Sequence, residues 1–328
     1  MGRPFISVVV TAYSRREFLK YAVKSVINQT LDKSLYEIIV VKNFRDPEVD
    51  HAVESNRGKI IEAGDEPVGK YLATGINESE GEVIAFLDDD DIFHSRKLER
   101  LFKVFNYDYD LDYYHHNLIA INELGDILPL DIDRVNEYLR LVSINDRIKA
   151  VKMYGFKCGS GMSAIVVRNR LAIMLSKYIM HHVIDAPDFI TYAFALNYGK
   201  VLIHEPHDLT FYRIHGKNTS KGFEGDLRRI VRRGVRAQIA GKQINKFIST
   251  FTNYDPELRK NLDPKTGYVD IVASIVMDWK HNIAKYSLKG LLTGIKDASI
   301  YRIAAAILGL TYLVNPYVAK KIIQWWYL

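Results

Sequence analysis

The chain has 328 residues, 48% hydrophobic and 26% charged, with 20 Gly and 9 Pro, which excludes a disordered, collagen-like or low-complexity protein and suits two domains or one with an extension. Its single cysteine, Cys158, excludes an internal disulfide framework and a multi-cysteine zinc site, and points to a reducing compartment. The formal net charge of +6 is split: residues 225–328 hold 17 Lys/Arg against 7 Asp/Glu, a net of +10, and residues 1–224 hold 28 against 32, a net of −4.

Phe5-Ile-Ser-Val-Val-Val-Thr-Ala is an apolar, β-branched run that predicts a buried strand. No apolar leader precedes it, so a secreted protein is not expected. Ser14 reads as the N-cap of a helix in which Phe18, Ala22, Val23, Val26 and Ile27 recur at helical spacing. Residues 36–41 predict a second strand, 48–55 a helix, 59–62 a short third strand and 68–80 another helix. A fourth strand, 82–87, ends abruptly in Asp88-Asp89-Asp90-Asp91. Strands alternating with helices predict a parallel sheet covered on both faces, with ligands gathered at the carboxyl ends of its strands. Thr11, Tyr13, Asn43 and the four aspartates fall at those ends.

Beyond Leu101 the pattern changes. Residues 112–121 and 127–129 flank a turn and predict an antiparallel hairpin. Residues 163–168 predict a strand, 169–178 and 185–197 helices, and 201–204 and 209–213 two short strands. The tail predicts several helices, broken at Tyr254-Asp-Pro and at residues 261–267.

Four adjacent carboxylates at the end of a buried strand repel one another by about 1 kcal/mol per pair in water and about 4 near a partly dry surface. A cation in the site relieves that repulsion, and all-oxygen ligands favour Mg2+ or Mn2+ over zinc or copper. The plainer alternative is a solvated acidic turn at the N-terminus of the next helix.

Ser7-Val-Val-Val-Thr-Ala-Tyr-Ser-Arg, Tyr36-Glu-Ile-Ile-Val-Val and Gly81-Glu-Val-Ile-Ala-Phe-Leu-Asp-Asp-Asp-Asp together resemble the family 2 glycosyltransferases, and the resemblance runs from about residue 5 to 220. It implies the GT-A fold: an α/β, Rossmann-like mixed sheet with flanking helices over residues 1–224, here followed by a basic helical extension, 225–328. Thr11 and Tyr13 then fall where the family holds the nucleotide base, Asp89 beside the ribose or diphosphate, and Asp88 and Asp90 as the metal-binding DxD pair. Asn43 stands where the family has an acid against the base, which leaves base preference open. The family's arginine is missing near residues 70–75, and Lys70 is either its substitute toward the diphosphate or a solvated helix lysine. Asp188 matches the acid that takes the acceptor's proton in inverting members, with Asp185 as the competitor and a helix-capping acid as the plainer alternative. Tyr212-Arg-Ile-His-Gly-Lys-Asn-Thr-Ser resembles the family's Tyr-Arg-x-His-x-x-Asn-x-Ser segment. That implies His215 toward the diphosphate and metal, and Gly159, Ser160 and Gly161 fall at the family's acceptor loop.

In the tail, Arg228, Arg232 and Arg236 form one helical stripe, and the weakly polar run 303–314 is shorter than the ~20 residues that span a bilayer. Trp325, Trp326 and Tyr327 beside Lys320 and Lys321 suit an anionic membrane interface; packing on the catalytic body or in a homodimer is the alternative. The expectation is a metal-dependent, inverting transferase on the cytoplasmic face of a membrane. It would move a sugar from a nucleotide-sugar donor to a saccharide or lipid-linked acceptor. Two rivals are a nucleotidyltransferase, disfavoured because residues 11–16 contain no glycine, and a nucleic-acid binder, which leaves the aspartates unexplained. Nucleic acid is therefore not expected as a partner.

Overall fold

The computed structural model describes residues 2–182, 186–215, 243–244, 246–251, 253–262 and 300–327. The chain divides into two units, one of residues 1–213 with 253–262, the other of 214–252 with 263–328.

The first unit is built on one mixed sheet. Strand β1 (Ile6–Ala12) is buried at all seven positions, as its unbroken apolar run requires of a strand covered on both faces. It pairs in parallel with β2 (Tyr36–Lys42) and β4 (Val83–Asp88), and β2 pairs in parallel with β3 (Lys59–Glu62). Helices α1 (Leu19–Ile27), α2 (Pro47–Ser55) and α3 (Val68–Asn77) make the crossovers. On one face Val8, Val10 and Ala12 share a core with Leu19, Val23 and Val26 of α1, Val49 and Val53 of α2, and Leu98, Leu101 and Phe105 of α4 (Lys97–Tyr107). On the other, Gly75 of α3 lies so close to Val9 that a Cβ would meet the valine's Cγ1 at 2.3 Å, so glycine there sets the helix-to-sheet distance.

The sheet continues past β4 with antiparallel β8 (Ile165–Arg168), then β6 (Leu111–Ile121), then β9 (Val201–Arg213), which runs parallel to β6. Two short strands, β5 (Ile92–Phe93) and β7 (Leu139–Leu141), pair with β9 from different ends. Helices α5 (Ile144–Tyr154), α6 (Asn169–Ile179), α7 (Pro187–Tyr198) and α8 (Pro256–Leu262) complete the described part of the unit. Buried Arg147 of α5 donates to the carbonyls of Leu196, Gly199 and Lys200, satisfying backbone groups at and beyond the carboxyl end of α7.

Three local expectations change. Ser14 is not a helix cap: it adopts φ +54°, and the N-cap of α1 is Phe18, four residues later. The hairpin is present but short, a bridge between Ile121 and Ile127 closed by the Asn122 N–H on the Asp126 carbonyl at 2.9 Å and the Leu128 N–H on the Ala120 carbonyl at 2.8 Å. The two short strands after residue 200 are one strand, β9, whose register slips opposite His116–Leu118; the slip accommodates Pro206, which has no N–H to give a ladder.

In the second unit, helices Ile300–Val314 and Pro316–Tyr327 pack on each other, with Leu308, Tyr312 and Ala319 buried and Ile307, Leu310, Leu313, Val314, Tyr317 and Val318 exposed. Among the described residues no helix is long and apolar enough to cross a membrane. The arginines at 228, 232 and 236 lie outside the described residues. Residues 320 and 325–327 are placed only as part of the last helix.

Candidate active site

The register that pairs Thr11 with Asp88 brings the ends of β1 and β4 together, and the site grows from this seam. The Thr11 hydroxyl bonds the Asp88 carboxylate, and Asp89 donates its N–H to the Thr11 carbonyl at 3.2 Å. The chain then turns, with Asp91 N–H on the Asp88 carbonyl at 3.2 Å, so the four acids do not fan out along a strand. Asp88, Asp90 and Asp91 each present a carboxylate oxygen within 4.8 Å of the others.

Asp89, Asp90 and Asp91 are buried and Asp88 is half-buried, which is costly for like charges. Burial first, and Asp90 second, push the Asp88 carboxyl up to about 7 and that of Asp89 up to about 8. Burial likewise raises Asp91 well above the ordinary carboxylate range, with Asp90 adding to it. The protein supplies partial relief. Arg15 bridges Asp89 and Asp90, with Nη1 2.7 Å from Asp90 Oδ2. Burial alone would lower the Arg15 guanidinium, but Asp90 and Asp89 more than reverse this and raise it. Asp91 is held from the rear: Arg213 donates its N–H to Oδ1 at 3.0 Å, and Ser163 bonds the same carboxylate while its Oγ accepts the Asp88 N–H at 3.0 Å. Beneath, buried Lys97 donates to the Ser163 carbonyl at 2.6 Å and to Thr210 Oγ1 at 3.0 Å. Burial drives that ammonium well below its usual range, with Asp91 opposing the shift. The oxygen-only donor set and its excess negative charge fit a hard divalent cation of the Mg2+ or Mn2+ type.

On the β2 side, Asn43 Oδ1 accepts the Ser14 N–H at 2.8 Å, which holds Ser14 in its left-handed conformation. Asn43 Nδ2 donates to Asp65 Oδ1 at 3.1 Å, and Tyr13 Oη lies 3.5 Å from the same oxygen. Tyr13 is 48% exposed and meets Tyr71 edge to face, so its ring is available for stacking. Asp65 thus restores a carboxylate beside Asn43, from a loop after β3 that the sequence reading passed over. Lys70 pairs with Glu66 at 3.3 Å, one turn away on its own segment.

On the other side, Asp188 sits in the first turn of α7 and accepts the Gly161 N–H at 3.0 Å. Two residues on, Ser163 Oγ accepts the Asp88 N–H, so the loop that bonds Asp188 also bonds the end of β4. Gly161 has φ +84°, and a Cβ on Gly159 would meet that of Tyr192 at 2.5 Å; both glycines are required by the path of the loop. Ser160 Oγ donates to Asp133 Oδ2 at 2.9 Å. Cys158 is buried, and burial pushes its thiol up to about 12, which makes it a packing residue. His215 is buried and belongs to the second unit, and Asp185 lies outside the described residues.

Residues 7–167 match the family described as glycosyl transferase family 2. Glycosyltransferase AglE of Haloferax volcanii is 36% identical over 105 residues, 30% of this chain and 34% of that protein. The aligned stretch thus spans about a third of that curated relative. The fold agrees with solved GT-A glycosyltransferases. TarS residues 1–349 of Staphylococcus aureus superpose with a TM-score of 0.61 at 13% identity, covering 95% of this chain and 91% of that one. The same fragment has been solved with UDP-GlcNAc. The mannosyltransferase PcManGT of Pyrobaculum calidifontis, solved with GDP-Man and Mn2+, has a TM-score of 0.55 at 14% identity, with 98% and 84% of the two chains covered.

Proposed function

We propose that this chain, whose residues 7–167 match glycosyl transferase family 2, transfers a sugar from a nucleoside-diphosphate donor to an acceptor hydroxyl with inversion. The observation that carries the reading is one loop that bonds Asp188 through Gly161 and Asp88 through Ser163, with Thr11, Tyr13, Asn43 and Asp65 at the neighbouring strand ends. Similarity to proteins solved with UDP-GlcNAc and with GDP-Man supports a nucleotide-sugar donor.

In this reading Tyr13 stacks on the base while Asn43 and Asp65 present one amide and one carboxylate to its edge. Asp89 and Arg15 lie toward the ribose and diphosphate, and Asp88 and Asp90 hold a divalent cation, Mn2+ or Mg2+. That cation supplies charge neutralisation as the diphosphate leaves. Asp188 removes the proton of the acceptor hydroxyl while its oxygen forms the new bond to the anomeric carbon. The bond from that carbon to the diphosphate breaks, and its electron pair leaves on the diphosphate. The hydrogen bond from Gly161 orients the carboxylate.

The acceptor reading extends to a saccharide or lipid-linked hydroxyl on the cytoplasmic face of a membrane. The exposed Ile307, Leu310, Leu313, Tyr317 and Val318, beside exposed Lys321 in a tail of net charge +10, support contact with an anionic surface. Calorimetry and thermal shift with UDP, GDP, UDP-GlcNAc and GDP-mannose, each with and without Mn2+, test the donor reading. Cation-dependent stabilisation by at least one is expected, and none by any would overturn it. Co-sedimentation with vesicles containing anionic lipid tests the surface: deletion of residues 300–328 should abolish it, and persistence would refute the contact.

A further inference from the structure

His115 and His204 are register partners on β6 and β9, and both are buried. Their Nδ1 atoms lie 2.9 Å apart. The Nε2 of His115 is 3.1 Å from the Ser160 carbonyl oxygen, and that of His204 is 2.9 Å from the Val135 carbonyl oxygen. A carbonyl oxygen only accepts, so each Nε2 carries a proton, and the contact between the two Nδ1 atoms requires one more. Two neutral imidazoles hold two protons for these three contacts. The set closes only with a third proton, which gives the pair a single positive charge.

We propose that His115 and His204 share one added proton between their Nδ1 atoms, and that this charged pair is the positioning device for the loop Gly159–Gly161 at the acceptor side of the site. The positioning role rests on the reading of Asp188 as the base. The connection runs through consecutive residues: His115 holds the Ser160 carbonyl, Ser160 Oγ holds Asp133, and the next N–H, that of Gly161, holds Asp188. Asp133 is itself kept at φ +49°, a conformation that a short polar side chain tolerates better than most.

Charged and titratable neighbours face the pair from every side. Lys97 of α4 and His116 of β6 oppose a positive charge there. Asp133, from the segment before β7, and Glu205 of β9 favour it. Glu205 is engaged by Arg100 of α4 at 2.5 Å and by the Tyr114 hydroxyl at 2.7 Å. Burial, with His204 next, holds His115 down to about 3, so the pair takes one added proton and not two. Burial also lowers His204 from its ordinary value near 6.5, against the pull of the Val135 carbonyl and Glu205. The shared proton is therefore gained toward acid and leaves as the pH rises, loosening the hold on Ser160.

The test is nuclear magnetic resonance of the full chain with 15N-labelled histidine rings between pH 5 and 8, which needs no variant. A scalar coupling between the two Nδ1 atoms across an N–H···N bond is expected at the acid end, with its loss on raising the pH. Its absence throughout the range would overturn the shared proton. Amide exchange at Gly161, corrected for its intrinsic pH dependence, should become about tenfold faster as the proton leaves, the size expected for one lost hydrogen bond. In His115→Phe that exchange should be fast at every pH; unchanged, slow exchange in this variant would overturn the positioning role. Neither readout involves turnover. Intact turnover in Asp188→Asn with the coupling present would therefore remove the base assignment while leaving the shared proton standing.

Discussion

Arg15 and Asp90 are joined at 2.7 Å across the mouth of the acid cluster, so a side chain of the protein occupies the carboxylate that a divalent cation would take. The guanidinium and the cation compete for Asp90. Arg15→Ala should destabilise the metal-free protein by about 1–3 kcal/mol, seen as a lower melting temperature, and tighten Mn2+ binding in the absence of donor. Calorimetric titration with Mn2+ checks this; weaker binding would mean that Arg15 organises the site instead of filling it.

Cation binding should also depend on pH in a defined direction. The raised carboxyls of Asp88, about 7, and Asp89, about 8, still hold protons at pH 6, and a cation has to displace them. Affinity for Mn2+ should weaken by about tenfold per pH unit for each proton displaced below these values. The same shifts act on stability. The native state binds more protons than the unfolded one between the ordinary aspartate value and the raised ones, so the metal-free protein should lose stability as the pH climbs through 7 and 8. Added Mn2+ should therefore raise the melting temperature more at pH 8 than at pH 6, which a thermal-shift series reads directly.

Asp188→Asn keeps the side-chain volume and can still accept the Gly161 N–H through its carbonyl oxygen, but it no longer takes a proton. Donor nucleotide binding should be retained while transfer falls by roughly 10²–10⁴. Calorimetry and product formation, measured on one preparation, separate the two effects.

Gly159→Ala should displace the acceptor loop, because the new Cβ would collide with Tyr192, a buried ring with no room to retreat. A loss of about 1–3 kcal/mol is expected from overpacking. Donor nucleotide binding should be spared, since Gly159 lies on the side of Asp188 and not of Asn43. A melting curve and a nucleotide titration check both halves.

The strand ends were legible because β1, β2 and β4 announce themselves as unbroken apolar runs, and a polar residue closing such a run stands at a ligand-facing edge. Thr11 and the aspartates could be placed from that alone. What supports them could not. Asp65, Ser163 and Arg213 reach the site from separate segments, and each is an ordinary loop or strand residue where it stands in the sequence. Arg15 resembled the entry to a helix, and only the left-handed turn at Ser14 brings it back over Asp89 and Asp90. The fusion of two predicted strands into β9 was hidden by Pro206, which marks a break in most strands and here occupies a slip in register.

That long last strand has a consequence for the order in which the protein is made. The N–H that steadies Asp91 belongs to Arg213, 122 residues further along the chain. Strands β1 to β4 are consecutive crossovers and can pair as soon as residue 88 has left the ribosome, whereas β6 waits about ninety residues for its parallel partner. A nascent chain thus completes the edge of Tyr13, Asn43 and Asp65 early and its acid cluster late, so translation must pass residue 213 before the two groups coexist.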